Sequence, residues 1–277
     1  MMSYGQRLSA AIAERGRLCV GIDPHPGILR GWGLGLDASG LERCARGTVE
    51  ALGDLVPVFK PQSAFFEAYG AAGVAVLERT LADIRSTGAL SLLDVKRGDI
   101  GSTMDAYAAA YLTDGSPLAA DAVTLSPYLG FGSLDGAIAT ATSRGRGVYV
   151  LALTSNSEAR AVQQAVAADG RTVGQLIVDE AAARNLGEDF GAVGIVVGAT
   201  IGATGIDFSR LNGPILAPGI GAQGATAADL RTVFGAALPL VLPSTSREIL
   251  TAGPEPIRLR TAATRALAEM EAARGLG

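Results

Sequence analysis

Short apolar runs, most of them unbroken by polar residues, recur along the chain with helix-period segments between them, and this repeat limits the possible folds more than any other feature. The runs are Leu18–Asp23, Val56–Lys60, Leu90–Lys96, Asp121–Thr124, Gly147–Thr154, Val193–Thr200, Ile215–Pro218 and Leu238–Ser244. A strand with one wet face alternates in polarity, whereas a parallel strand covered on both faces does not, so these runs read as parallel strands. Helices are expected near 40–54, 64–86, 102–113, 133–143, 172–187 and 226–234, with terminal helices at 4–16 and 258–274. The 201–213 connection shows little helical pattern. Eight such units in 277 residues suit a closed (β/α)8 TIM barrel. An open doubly wound sheet should carry G-x-G-x-x-G after its first strand. Here the Gly31-Trp32-Gly33-Leu34-Gly35 stretch leads into no immediate helix and reads as a surface loop. No linker-like or low-complexity tract interrupts the chain, so residues 1–277 are expected to form one barrel domain.

Composition narrows the partners. A net charge of −4 argues against a surface that coats nucleic acid. Cys19 and Cys44 are the only cysteines, which excludes a disulfide scaffold and fits a reducing compartment. The N-terminal MMSYGQRLSAAIAERG lacks the apolar core of a signal peptide, and no apolar stretch reaches the roughly 18 residues of a membrane span. A cytoplasmic protein is expected, with no nucleic-acid or membrane partner.

Among 23 basic residues only Lys60 and Lys96 are lysine. Arginine keeps its proton under all ordinary conditions, while a lysine amine can be tuned to release it. Both lysines fall at the ends of expected strands, which is where a barrel places its chemistry, and Lys96 lies between two carboxylates, Asp94 and Asp99. The third strand is the most informative. In SLLDVKRGDIGST, Asp94 and Lys96 are two apart and share a strand face, following Leu92 into the barrel interior. An unpaired charge there is costly, so the two must pair with each other or with further groups. Asp99 follows past the strand end, where a plain reading makes it a helix-capping carboxylate. The single histidine, His25, lies between two prolines and reads as a loop residue; a site needing two histidines is excluded.

The string Asp94-x-Lys96-x-x-Asp99-Ile100 resembles the D-x-K-x-x-D-I motif of orotidine 5′-phosphate decarboxylases. Gly21-Ile22-Asp23-Pro24, Phe59-Lys60-Pro61-Gln62, Thr124-x-x-Pro127-Tyr128-Leu129-Gly130, Thr154-Ser155-Asn156 and Ala217-Pro218-Gly219-Ile220-Gly221-Ala222-Gln223-Gly224 occur in the same order as in the longer, mycobacterial-type branch of that family. The resemblance implies decarboxylation of orotidine 5′-monophosphate to uridine 5′-monophosphate in pyrimidine biosynthesis, with no metal and no organic cofactor. It matches Lys60, Asp94, Lys96 and Asp99 to a Lys-Asp-Lys-Asp array. In that array Lys96 would face the developing carbanion and protonate C6, Asp94 would lie near the leaving carboxylate, and Lys60 would hold Asp94 and a ribose hydroxyl. Asp99 would come from the other subunit of a homodimer with shared sites, and Thr103 would cross with it. Asp23 would bind the ribose and Ser155 the pyrimidine edge. Gly219, Gln223 and Arg247 would bind the phosphate, although Thr245-Ser246-Arg247 departs from the family's common Gly-Arg-Ser pattern.

Three rival readings make different demands. Sister barrel enzymes share the Asp-x-Lys-x-x-Asp motif but hold magnesium through an acid at the end of strand two, where this chain has Lys60. A Schiff-base aldolase acting through Lys96 would leave Lys60 and Asp99 without work. A catalytically silent, nucleotide-binding barrel would have little reason to retain four charges at the site.

Overall fold

The computed structural model describes residues 1–202, 205–220 and 227–275. Eight parallel strands close in sequence order: β1 (Cys19–Ile22), β2 (Val58–Pro61), β3 (Leu90–Arg97), β4 (Ala122–Leu125), β5 (Gly147–Leu153), β6 (Val193–Val197), β7 (Ile215–Pro218) and β8 (Val241–Thr245). Closure comes from β1 pairing β8, with Cys19 opposite Ser244 and Val20 opposite Thr245. This is the expected (β/α)8 TIM barrel.

The two-residue period of the strands sorts side chains into two cores. Cys19, Val58, Leu90, Leu92, Ala122, Tyr149, Leu216 and Leu242 fill the interior. Their neighbours Val20, Phe59, Leu93, Val123, Val148, Val150, Ala217 and Val241 pack outward against the helices. Tyr4 and Leu8, from the helix Tyr4–Arg15, join the interior cluster, with the Tyr4 and Tyr149 hydroxyls 3.0 Å apart. Gly147 is required there, because a Cβ would lie 2.4 Å from the Tyr4 ring. Continuing the interior period past Val58, Leu92 and Ala122 reaches Lys60, Asp94 and Thr124 at the opposite end of the barrel.

Several local expectations change. The 64–86 helix is two helices, Ser63–Glu67 and Gly70–Ser86, separated at Ala68–Tyr69, with Gly70 in the left-handed region at φ 59°. A further helix, Pro26–Gly31, starts with proline in its first turn, where no amide donor is needed, and His25 caps it by accepting from the Gly27 amide at 3.1 Å. The Gly31–Gly35 stretch is not a simple surface loop. Trp32 and Leu34 are buried, and Trp32 Nε1 donates to the Leu250 carbonyl at 2.7 Å. Leu238–Leu240 lies in a 3-10 turn, so β8 begins at Val241. Among the described residues, 201–213 contains no helix, and none of the helices is long and apolar enough to cross a membrane.

Candidate active site

Asp94 is the centre of the site. It is buried at 7% exposure, and both of its oxygens are doubly hydrogen-bonded. Oδ2 accepts from Lys60 Nζ at 3.1 Å and Gln62 Nε2 at 3.0 Å. Oδ1 accepts from Lys96 Nζ at 2.6 Å and the Thr124 hydroxyl at 2.8 Å. The donors arrive from the ends of β2, β3 and β4. Burial pushes the Asp94 carboxyl up, but Lys60 and Lys96 outweigh it and hold the group well below the usual carboxylate range. For Lys60, burial works against the charged ammonium, and Asp94 with Asp23 more than restores it, so this lysine stays protonated.

The two lysines are placed differently. Lys60 is enclosed, with a side chain 6% exposed, whereas that of Lys96 is 45% exposed at the barrel mouth. Lys96 also has a left-handed backbone, φ 47°, a conformation that costs a residue of this size about 1–3 kcal/mol and concentrates at functional positions. The neighbouring cation, Arg97, is drawn away from the array. It ion-pairs with Glu67 at 2.7 Å and lies over the rings of Tyr107 and Tyr111.

On the other side of the mouth, Asp23, Lys60, Gly219, Ser244, Thr245 and Arg247 line a hollow of about 80 Å³. Asp23 Oδ1 is 3.9 Å from Lys60 Nζ. That oxygen and the hydroxyls of Thr245 and Ser246 are buried without hydrogen-bond partners among the described residues. Gly219 is left-handed at φ 106°, and Arg247 is exposed and makes no ion pair among the described residues. Gly21 lets β1 pass this corner, since a Cβ on it would lie 2.7 Å from Ser246 Cβ. The arrangement offers an arginine and hydroxyl donors to an anion, with an acceptor in Asp23 nearby. Larger grooves lie among the outer helices and bring no such set of unpartnered polar atoms together.

Lys60, Asp94 and Lys96 therefore meet directly, and Asp23, Gly219 and Arg247 border the same mouth. Among the described residues, no hydrogen bond or ion pair joins Asp99, Thr103 or Ser155 to the array. Asp99 is half-buried and its Oδ1 accepts from the Ile100 amide at 2.8 Å; Thr103 and Ser155 are exposed. Gln223 lies outside the described residues. Gln62 and Thr124, both bonded to Asp94, are site positions that the sequence motifs do not single out. Thr124 had left one signal, a hydroxyl at a strand end on the interior period.

The orotidine 5′-phosphate decarboxylase / HUMPS family matches residues 16–256. A relative from Salinispora arenicola, described as orotidine 5′-phosphate decarboxylase, is 62% identical over 274 residues, 99% of each chain. One from Streptomyces coelicolor with the same description is 55% identical over 274 residues, again 99% of each. Among solved structures, a putative orotidine 5′-phosphate decarboxylase from Streptomyces avermitilis superposes with a TM-score of 0.96 at 56% identity, covering 99% of this chain and 96% of that one. The Leishmania donovani OMP decarboxylase gives 0.78 at 30% identity, covering 99% of both.

Proposed function

The chain belongs to the orotidine 5′-phosphate decarboxylase / HUMPS family, and from that premise we propose that it converts orotidine 5′-monophosphate to uridine 5′-monophosphate and carbon dioxide in pyrimidine biosynthesis. The observation that carries this reading is the clamp of two lysine ammoniums on one buried carboxylate, Lys60 at 3.1 Å and Lys96 at 2.6 Å from Asp94. Loss of carbon dioxide leaves an electron pair at pyrimidine C6. A fixed cation must stabilise that charge, and a proton must replace the lost group. Lys96 supplies both: its exposed ammonium faces the mouth, gives a proton to C6 and is reprotonated from solvent. Asp94 remains ionised beside the departing carboxylate and holds Lys96 in line. Lys60 balances Asp94 and lies close enough to Asp23 for the two to share the ribose hydroxyls.

Remote binding belongs to the opposite side of the mouth. Gly219 and Arg247 take the phosphate, joined by Gln223, and Ser155 meets the pyrimidine edge. Asp99 and Thr103 complete the partner's site in a homodimer. Their position supports this, because the β3 and β4 ends are tied by the Ser126 amide donating to the Arg97 carbonyl at 2.7 Å. Those ends also carry the outward-facing Ile100, Tyr128 and Leu129, which are 64%, 81% and 51% exposed. An apolar set of this kind beside Asp99 suits a subunit interface.

The reaction needs no metal in this reading. The end of β2 offers the Lys60 ammonium, which repels a divalent ion, and the two lysines supply the positive field. The test is incubation with orotidine 5′-monophosphate and a chelator, following loss of the orotate absorbance. Turnover should be the same with and without chelator. No turnover, or turnover that needs magnesium, would overturn the proposal.

A further inference from the structure

We infer that Thr124 is a positioning residue whose hydroxyl sets both the backbone at Lys96 and the orientation of Asp94, a role that rests on the decarboxylase reading above. The β3–β4 ladder breaks at this point. Leu93 pairs with Val123 and Arg97 with Leu125, so Asp94, Val95 and Lys96 are opposed by Thr124 alone. Ordinary pairing cannot serve three residues with one, and the extra length is taken up by a bulge. The bulge contains the left-handed Lys96, at φ 47°.

The Thr124 side chain stands in for the missing ladder bonds. Its oxygen accepts from the Lys96 amide at 2.9 Å and its proton goes to Asp94 Oδ1 at 2.8 Å. Because one lone pair is used by an amide that can only donate, the hydroxyl proton is directed to the carboxylate. Asp94 Oδ1 also receives Lys96 Nζ at 2.6 Å, so one hydroxyl fixes two sides of the same triangle: the lysine's main chain and the oxygen its ammonium is aimed at. Thr124 is 1% exposed and does not face the mouth as a substrate ligand would. Its effect on the reaction passes through Lys96 and Asp94.

The distinguishing experiment compares T124V and T124S in steady-state kinetics with orotidine 5′-monophosphate and in crystal structures. T124V keeps the shape and removes both bonds; kcat should fall at least tenfold while KM stays within about threefold, and Lys96 should leave the left-handed region. T124S keeps the hydroxyl and should recover most of that loss, with Lys96 unchanged. If T124V does not fold, T124A should show the same split between kcat and KM. Unaltered kcat in T124V, or equal damage in T124S and T124V, overturns the inference. Wild-type protein that does not turn over the substrate refutes the decarboxylase reading instead, and the Lys96 backbone in the T124V crystal then decides the positioning claim by itself.

Discussion

At the ends of β2, β3 and β4 both oxygens of Asp94 are doubly hydrogen-bonded, whereas at the β8 end the Thr245 and Ser246 hydroxyls are buried without partners among the described residues. The difference follows from charge and depth: Asp23, a carboxylate on the second side, has an oxygen without a hydrogen bond among the described residues, but its side chain is 24% exposed and 3.9 Å from the Lys60 ammonium. An ionised carboxylate or ammonium cannot be buried unpaired, so the Lys60–Asp94–Lys96 array has to be complete before any substrate arrives. A neutral hydroxyl left unpaired costs only about 1–3 kcal/mol, so it can wait for a ligand. In the proposed reaction one side is a fixed field, and the other is finished by the substrate that binds to it.

The strongest way to break this contrast is at Lys96. Lys96→Ala removes both field and proton, and kcat should fall by on the order of 10⁴-fold or more. Lys96→Arg should stay close to that loss, because it keeps a charge but not a transferable proton. A Lys96→Ala enzyme within tenfold of wild type in steady-state assays would mean that the array is structural.

Next in size is the shared site proposed for a homodimer. Asp99→Ala and Lys96→Ala chains, each nearly inactive, should regain about a quarter of wild-type activity when exchanged in equal amounts, since half the dimers are mixed and each mixed dimer has one intact site. Verified exchange with no recovery would show that Asp99 acts within its own chain or not at all.

On the waiting side, Arg247→Ala should lower kcat/KM by about 2–4 kcal/mol, as expected for loss of a charge-assisted bidentate contact. Phosphite added with a substrate lacking the phosphate should restore part of the rate in wild type and none in Lys96→Ala. Unchanged kinetics in Arg247→Ala would make Arg247 a surface residue and place the phosphate elsewhere.

The smallest effect sharpens the fixed side through stability. The Asp94 carboxyl is held below its unfolded value near 3.9. Its stabilising contribution is therefore present above about pH 4 and is lost as pH falls through and below that value. Denaturant titrations between about pH 5 and 3 should show a shallower loss of stability in Asp94→Asn than in wild type. Equal slopes would place the acid sensitivity in other carboxylates.

The chain displays some of this contrast and hides the rest. Lys60 and Lys96 were legible as the only two lysines, each at a strand end, and Asp94 because a strand's two-residue period is local and carries Leu92 to Asp94. The split of the 64–86 helix was not, because apolar spacing runs on through Ala68–Tyr69 while the backbone turns at Gly70. Trp32 looked like part of a glycine-rich surface loop, since its partner, the Leu250 carbonyl, is more than 200 residues away in the chain. Thr124 showed only as a hydroxyl at a strand end, and neither it nor Gln62 pointed to Asp94, because both reach it from neighbouring strands.

By itself the sequence determined eight strands buried on both faces, the barrel they imply, and two lysines and an aspartate at strand ends. These depend on periodicity and residue chemistry, which act over a few positions. Only the tertiary structure decided that three residues of β3 face Thr124 alone, that Lys96 is left-handed, and that Arg97 turns aside to Glu67. It also decided that Asp23 borders the same hollow as Thr245 and Arg247. That last juxtaposition exists because the barrel closes β1 onto β8, and closure is a property of all eight strands together rather than of any stretch of sequence.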